Sequence, residues 1–482
     1  MNLLKLFPIL FPIIMGFILL KVKLDDRNKL YKVVASIITL NALVALFIIF
    51  KTNHEPIVLF KFIEGLELVF RIDGMSTIFG SMVSILWVIT TFYAFEYMKH
   101  EGRERKFFSF FMMAFGVVLG IAFAGNMFTL YVFYEFLTLS TIPLVMHAMD
   151  GKAIHAGKVY IMYMMIGASL AFIGFIFIYI YGGNTLFTLG GTLNPQLVAG
   201  NEDLIRFVFL LTCLGFGVKA AMFPFSAWLP KASVAPTPVT ALLHAVAVVK
   251  SGIFAIIRLL YFSIGTSLIK GTWEQYLIMA LAIITIVYGS TMALRCPHIK
   301  RRFAYSTISN LSYIILGLIM CSDAGLVAGI LHMIFHAVIK ITLFFGAGAI
   351  LYKTHKEYMN EIKGYGYKMP IVFITMLIAS LGLIGIPPFP GFFSKWALAL
   401  SAVESHNIIA YLGVGALIIS ALLTALYCIS IFVKAFMYKT KDKAEDPNGF
   451  MTIPLIILSL IVLFFAVKPD LLINLISVSL GL

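Results

Sequence analysis

The sequence predicts an all-α polytopic membrane protein with about fourteen transmembrane helices. Three observations carry that expectation. Of 482 residues, 61% are hydrophobic and only 12% charged, with a mean hydropathy of +1.00. A soluble domain carries about 25% charged residues. Apolar runs of about 20 residues, long enough to cross a hydrocarbon core, recur along the whole chain. The basic residues also alternate between successive loops: of 36 Lys and Arg, 24 fall on odd-numbered loops, seven on even-numbered loops and termini, and five inside spans. This is the positive-inside pattern, and it places both termini outside the cytoplasm. The net charge of +14 is therefore topogenic, which argues against a nucleic-acid partner.

The apolar runs lie near 2–20, 31–50, 75–98, 107–124, 126–148, 158–182, 203–223, 238–262, 275–294, 303–320, 324–351, 370–403 with a break, 407–436 and 450–467. No small-residue cleavage site follows the first run, which reads as a retained helix. Residues 55–74 are too polar to span. Their two β-prone runs around Ile63, Glu64 and Gly65 predict a small outer hairpin, with a plain connecting loop as the competing reading. The chain divides into 1–106 (three helices and the hairpin), 107–262 (helices four to eight), 274–436 (helices nine to thirteen) and 437–482 (helix fourteen). The four cysteines, Cys213, Cys296, Cys321 and Cys428, show no iron–sulfur or zinc ligand spacing. No cofactor or metal is expected.

Titratable residues inside these runs carry the functional expectation. A charged side chain at the bilayer centre costs roughly 2.5–3.5 kcal/mol on insertion scales, so such residues mark ion or proton paths by default. Glu135 in the fifth run is the only acid set deep in a span. It lies about 13 Å from the helix start at roughly 1.5 Å per residue, too far to reach water easily. Pro143 bends this helix, with Ser140 and Thr141 placed to bond the freed carbonyls. Lys219 ends the seventh run inside GFGVKA. That string has the spacing of a dinucleotide loop but no βαβ setting, so it is rejected as one.

Pro224, Pro230, Pro236 and Pro238 then break the chain, and the eighth run presents His244 and Lys250. Six residues apart on one helix, these two do not share a face. The competing reading of His244 is a structural hydrogen bond, and Arg258 reads as a residue snorkelling to the outer interface. In the eleventh run His332, His336 and Lys340 recur every fourth residue, a polar seam rising about 12 Å that could hold a file of waters. The competing reading is that these histidines only join helices, at about 0.6 kcal/mol per hydrogen bond. Pro387 and Pro388 break the twelfth run, and Lys395 follows.

The chain thus has two broken helices, each with an intramembrane lysine, 176 residues apart. Spans four to eight and nine to thirteen would have opposite orientations, as in the inverted repeats of transporters.

Three motifs carry a family resemblance: GxxxKAAxFPFxxWLPKAxVAPTPVTALLHAxxxVKxG from Gly215, KRxxAYSTISxLxYIxLG ending at Gly317, and GIPPFPGFFSKW from Gly385. With them the whole chain resembles the antiporter-like membrane subunits. That family is shared by complex I, the multisubunit Mrp-type Na+/H+ antiporters and membrane-bound energy-converting hydrogenases. The short stretch after the last span and the lysine in the twelfth resemble the D-type subunit most. The resemblance implies two half-channels joined by a hydrophilic axis. It also implies proton-translocating roles for Glu135, Lys219, Lys250 or His244, and Lys395.

The expected path enters from the cytoplasm near Lys219 and Lys250, passes His332, His336 and Lys340, and leaves past Lys395. The distance from Glu135 to Lys219 would decide whether that lysine holds or releases its proton. No catalytic or redox site is expected in this chain, so redox partners in the same complex, or a sodium gradient, must supply the driving force. A stand-alone transporter of ions or small solutes is the alternative. The expected cargo is H+, with Na+ the alternative.

Overall fold

The computed structural model describes residues 2–22, 24, 26–51, 55–63, 65–183 and 185–482. Lys23 of the first basic loop and Glu64 of the hairpin turn lie outside them. The chain begins with a 3-10 turn (Asn2–Leu6), α1 (Phe7–Lys21) and α2 (Arg27–Lys51). Then come the hairpin strands β1 (Ile57–Ile63) and β2 (Leu66–Phe70), followed by α3 (Gly74–Glu101), α4 (Glu104–Ala122), α5 (Met127–Val145), α6 (Gly151–Tyr181) and α7 (Glu202–Lys219). After a break come α8 (Thr237–Ala245), α9 (Val248–Leu259) and, past a π-helical turn at Leu260–Ile264, α10 (Trp273–Arg295), α11 (Ile299–Leu318) and α12 (Asp323–Thr354). The chain ends with α13 (Pro370–Ile384), α14 (Pro390–Glu404), α15 (Ile408–Phe436), α16 (Gly449–Val467) and α17 (Pro469–Leu480).

Polar residues set the helix starts. The side chains of Asp73, Asn126, Asp150, Thr272, Ser322 and Asn407 each accept a backbone N–H from the first turn of the helix they precede. The apolar lengths between such caps do the rest. Among the described residues, eleven helical stretches are long and apolar enough to cross a membrane.

The other three expected spans are helical but fall short. α7 opens on Glu202, Asp203 and Arg206, α11 opens on Lys300, Arg301 and Arg302, and residues 370–404 are split into α13 and α14. By helix length and composition alone, eleven crossings qualify among the described residues.

The loops sort onto two faces. On one, β1 and β2 pair antiparallel, and Phe70 bridges to Ala124. Lys5 donates to the Glu55 carbonyl at 2.8 Å, and α17 abuts Gly74 at the start of α3. Both chain ends thus lie on this hairpin face. On the other, the basic loops knit together: Ile299 N bonds Glu357 O, Lys356 pairs with Asp442 at 2.8 Å, and Gly364 N bonds Lys434 O.

The centre of the bundle is α8, α9 and α12. The apolar stretch of Thr237–Ile264 is wholly buried, and that of α12 nearly so, whereas α6 is largely open to its surroundings. Polar side chains on the central helices therefore face protein and not lipid.

Three interruptions shape the centre, one more than expected. The first begins at Lys219, upstream of Pro224: Ala220 caps α7, Ala221 turns left-handed at φ +54°, and Pro224 follows within the loop. The second falls at Val246–Ala247 and separates α8 from α9. His244 and Lys250 therefore do not sit on one helix, and their expected angular relation does not hold. No proline or glycine marks this second break in the sequence. The third is 385–389, where Gly385 ends α13 at φ +83° and Pro387 and Pro388 fill the gap.

Pro143 lies inside α5 as expected. The nearby hydroxyls, however, bond carbonyls preceding the one it frees. Ser140 and Thr141 both donate to Leu137 O, whereas proline removes the bond to Leu139 O.

Candidate functional site

Lys219 is 1% exposed at the last turn of α7. Its Nζ donates to the Tyr134 carbonyl and stands 3.2 Å from the centroid of the Tyr134 ring. Glu135 is the next residue of α5 and is half-buried. It and Lys219 act electrostatically on each other without forming an ion pair within 4.0 Å, and Glu135 Oε1 has no hydrogen-bond partner. Lys219 is thus held by a carbonyl and an aromatic face, with a carboxylate nearby that does not pair with it.

α9 meets the end of α7 through Gly252. A Cβ there would stand 2.7 Å from Ala220 N and 2.9 Å from Phe216 O. Only glycine lets the two backbones close up, and this sets Lys250, two residues away, beside the segment that bears Lys219.

Lys250 is wholly buried, and its Nζ lies 3.0 Å from Nδ1 of His336 on α12. One turn earlier on α12, the His332 ring centroid is 6.1 Å from that of His336. His332 Nδ1 lies 2.9 Å from Ser394 Oγ, and its Nε2 lies 3.2 Å from Asn310 Oδ1. Ser394 adjoins Lys395 on α14. Lys395 is half-buried, donates to Leu383 O at 2.7 Å and Ile384 O at 2.9 Å, and stands 5.4 Å from the Tyr313 ring. It therefore binds the unpaired carbonyls at the end of α13, across the third interruption.

The structure brings together Lys250, His336 and His332 and leads them to Ser394 beside Lys395. It does not extend this file to Lys340. One turn further along α12, Lys340 turns aside and donates to Ser306 Oγ and to Phe303 O at 3.1 Å. The unbroken seam expected along His332, His336 and Lys340 is therefore a branch. Lys250 joins at its middle, its side chain reaching across from α9 to His336.

His244 is also set apart. Its Nε2 lies 3.4 Å from Ser233 Oγ, its Nδ1 has no partner, and its ring packs 4.8 Å from that of Phe344. His336 remains within electrostatic reach of His244, Lys340, Lys250 and His332.

Arg258 does not snorkel. It is 0% exposed, and its guanidinium pairs with Asp73 at 2.6 and 2.7 Å. Burial by itself would raise the Asp73 carboxyl, but Arg258 and Ser76 hold it below the usual carboxylate range. Sequence reasoning also missed Ser306, Asn310 and Ser394. All three lie within the conspicuous motifs, but Asn310 fills an unspecified position, and their partners are 34, 22 and 62 residues away. Among the described residues, no three His, Cys, Asp or Glu gather as a metal site requires. The four cysteines are free.

Fold and site together define a polytopic membrane protein whose interior carries a file of lysines and histidines. The chain belongs to the family described as NADH:quinone oxidoreductase/Mrp antiporter, transmembrane, which it matches over residues 124–424. It is 30% identical over 430 residues to the A subunit of the Na+/H+ antiporter of Alkalihalophilus pseudofirmus, covering 83% of this chain and 52% of that protein. It is 32% identical over 385 residues to the N subunit of the NADH-quinone oxidoreductase of Desulforudis audaxviator, covering 77% of this chain and 73% of that one. The chain spans about half the length, or less, of the antiporter relatives it matches.

Among solved structures, a chain of the archaeal membrane-bound sulfane sulfur reductase superposes with a TM-score of 0.86 at 25% identity, covering 99% of this chain and 97% of that one. A chain of the Mrp complex from Dietzia sp. DQ12-45-1b superposes at 0.85 with 20% identity and the same coverage.

Proposed function

We propose that this chain is a proton-translocating, antiporter-like subunit of a multisubunit membrane complex. The observation that carries this is the contact between Lys250 and His336 in the wholly buried centre of the bundle, continued by His332 to Ser394 beside Lys395. A lysine and a histidine in hydrogen-bond contact can hand a proton either way. The 6.1 Å between the two histidine rings is a spacing that one water bridges.

Glu135 and Lys219 stand at the uptake end. Approach of the carboxylate holds the proton on Lys219, and withdrawal releases it towards Lys250. Lys340 is a side store that loads from His336. His244, hydrogen-bonded to Ser233, lies on the feed from the basic face. Lys395 is the discharge site.

The two broken elements support an inverted pair of half-channels, 107–262 and 274–436. In both, a lysine donates to backbone carbonyls, Lys219 to Tyr134 and Lys395 to Leu383 and Ile384. α7, α11 and the α13–α14 pair complete fourteen crossings. The basic loops then face the cytoplasm, and both termini lie outside a cell membrane.

Moving one charge against 100 mV costs about 2.3 kcal/mol. The driver is accordingly a redox partner of the same complex or a sodium gradient. Relatives named as subunits of Na+/H+ antiporters and of NADH-quinone oxidoreductases, and likeness to a sulfane sulfur reductase chain, favour such an assembly. The D-type position within an antiporter belongs to this proposal.

Driven acidification of inverted vesicles tests it. Lys219→Ala is expected to assemble at the wild-type level and move no protons. Full pumping by that variant sinks its assigned role.

A further inference from the structure

The face of α9 that carries Lys250 continues one and two turns on to Phe254 and Arg258, every fourth residue, towards the hairpin face. The start of α3 lies against it with Asp73, Ser76 and Phe79. Phe254 and Phe79 are both fully buried and stack with ring centroids 4.8 Å apart. Neither ring of this stacked pair offers a hydrogen-bonding group.

Above it, Arg258 meets Asp73 through two bonds and reaches Ser76 Oγ at 3.3 Å. Asp73 Oδ1 also accepts from Ser76 N at 2.9 Å and Ser76 Oγ at 3.0 Å. Both carboxylate oxygens thus already accept hydrogen bonds. Arginine does not release its proton at any ordinary pH. Neither member can therefore relay one.

Phenyl rings of Phe187, Phe254 and Phe262 stand 4.8, 5.0 and 4.8 Å from the guanidinium carbon. The loop over the top is tied down by backbone bonds from Thr188, Gly190 and Thr192 to Phe262, Tyr261 and Ser263. Arg71 adds a bond to Phe187 O at 3.3 Å.

We propose that the Arg258–Asp73 pair and the Phe79–Phe254 layer beneath it form a stopper, which denies a proton on Lys250 exit through the hairpin face and sends it sideways to His336. It rests on the translocation function proposed above. A fixed arginine barring protons and cations is a known device of membrane pores. Here it would act at a dead end, where it keeps the first half-channel from short-circuiting the second. The stopper residues are positioning groups that carry no proton themselves.

Passive decay of an imposed pH gradient, in unenergised vesicles holding the assembled complex, tests this. The variant Arg258→Met/Asp73→Asn keeps an asparagine cap on α3. It is expected to leak several-fold faster than wild type, and adding Lys250→Met is expected to return the leak to the wild-type rate. Wild-type leakage by the assembled double variant overturns the proposal, since the pair would then be only a bolt between helices. Leakage that persists with Lys250→Met also overturns it, because the route would bypass Lys250.

Where the double variant does not accumulate, Phe254→Ala, which leaves the ion pair in place, carries the test. It is expected at least to double the leak, and no change overturns the proposal. Energised proton movement by the wild-type complex is a separate readout: its absence removes the translocation function, whatever the leak shows.

Discussion

Lys250 reaches His336 from a helix that is seated by a glycine two residues away, where α9 closes on α7. His336→Leu removes one partner and keeps the bulk. It is expected to slow driven proton movement by roughly 10²-fold, the low end of what a positioned proton acceptor contributes. Vesicle acidification at equal complex abundance measures this.

Arg258 makes a second residue-scale prediction. Arg258→Ala leaves Asp73 charged and without its cation in a largely buried place, where Ser76 still bonds it, so the cost is expected at the low end of the roughly 3–5 kcal/mol for breaking a buried pair. A lowered unfolding temperature in detergent is the readout. The pair also sets a pH dependence. The Asp73 carboxyl is held below its unfolded value of about 3.9. Its contribution is therefore fully present above that pH and is lost as pH falls through the lower folded value. The stability gap between wild type and Asp73→Asn is expected to be constant from neutrality to about pH 5 and to shrink below about pH 4.

At the scale of elements, the interruptions position the chemistry. α7 stops at Lys219, so its side chain reaches the Tyr134 carbonyl, and α13 stops at Ile384, so Lys395 caps its open end. Gly252→Ala would press a methyl against Ala220 N and Phe216 O. Such overpacking costs about 1–3 kcal/mol and should part α9 from α7. Weakened proton movement alongside lowered stability is the expected outcome. A variant with unchanged unfolding and pumping would show that this close approach does not matter.

The hairpin, the prolines of the third break and the placing of Lys219 and Lys395 around the breaks were legible in the sequence. They depend on neighbours within about a turn, or on proline and glycine. The gap at Val246–Ala247 was not legible, since valine and alanine carry no breaker signal. The partners of Arg258, Lys340 and His332 were not legible either. They lie 185, 34 and 62 residues away and meet only when helices pack. Arg258 misled for that reason: an arginine near a helix end looks like a snorkelling residue until its acid is seen.

At the scale of the molecule, charge and hydropathy sort the loops onto two faces, and the polar file lies in the most buried helices between them. Both termini share the hairpin face. Under the proposed orientation, an epitope tag at either end is expected to be labelled on intact cells, and a tag in the 436–449 loop only after permeabilisation. The reverse pattern would turn the protein over and exchange uptake with discharge. Purification in mild detergent is expected to bring other membrane subunits along. An active lone chain would instead favour a stand-alone transporter.

The most direct measurement is energised proton movement by the assembled complex carrying Lys250→Met. That side chain keeps its length and packing but cannot hold a proton at the junction with His336. The account predicts full assembly and no proton movement. Pumping at the wild-type rate would contradict it, because protons would then cross the bilayer without passing the contact on which the whole path depends.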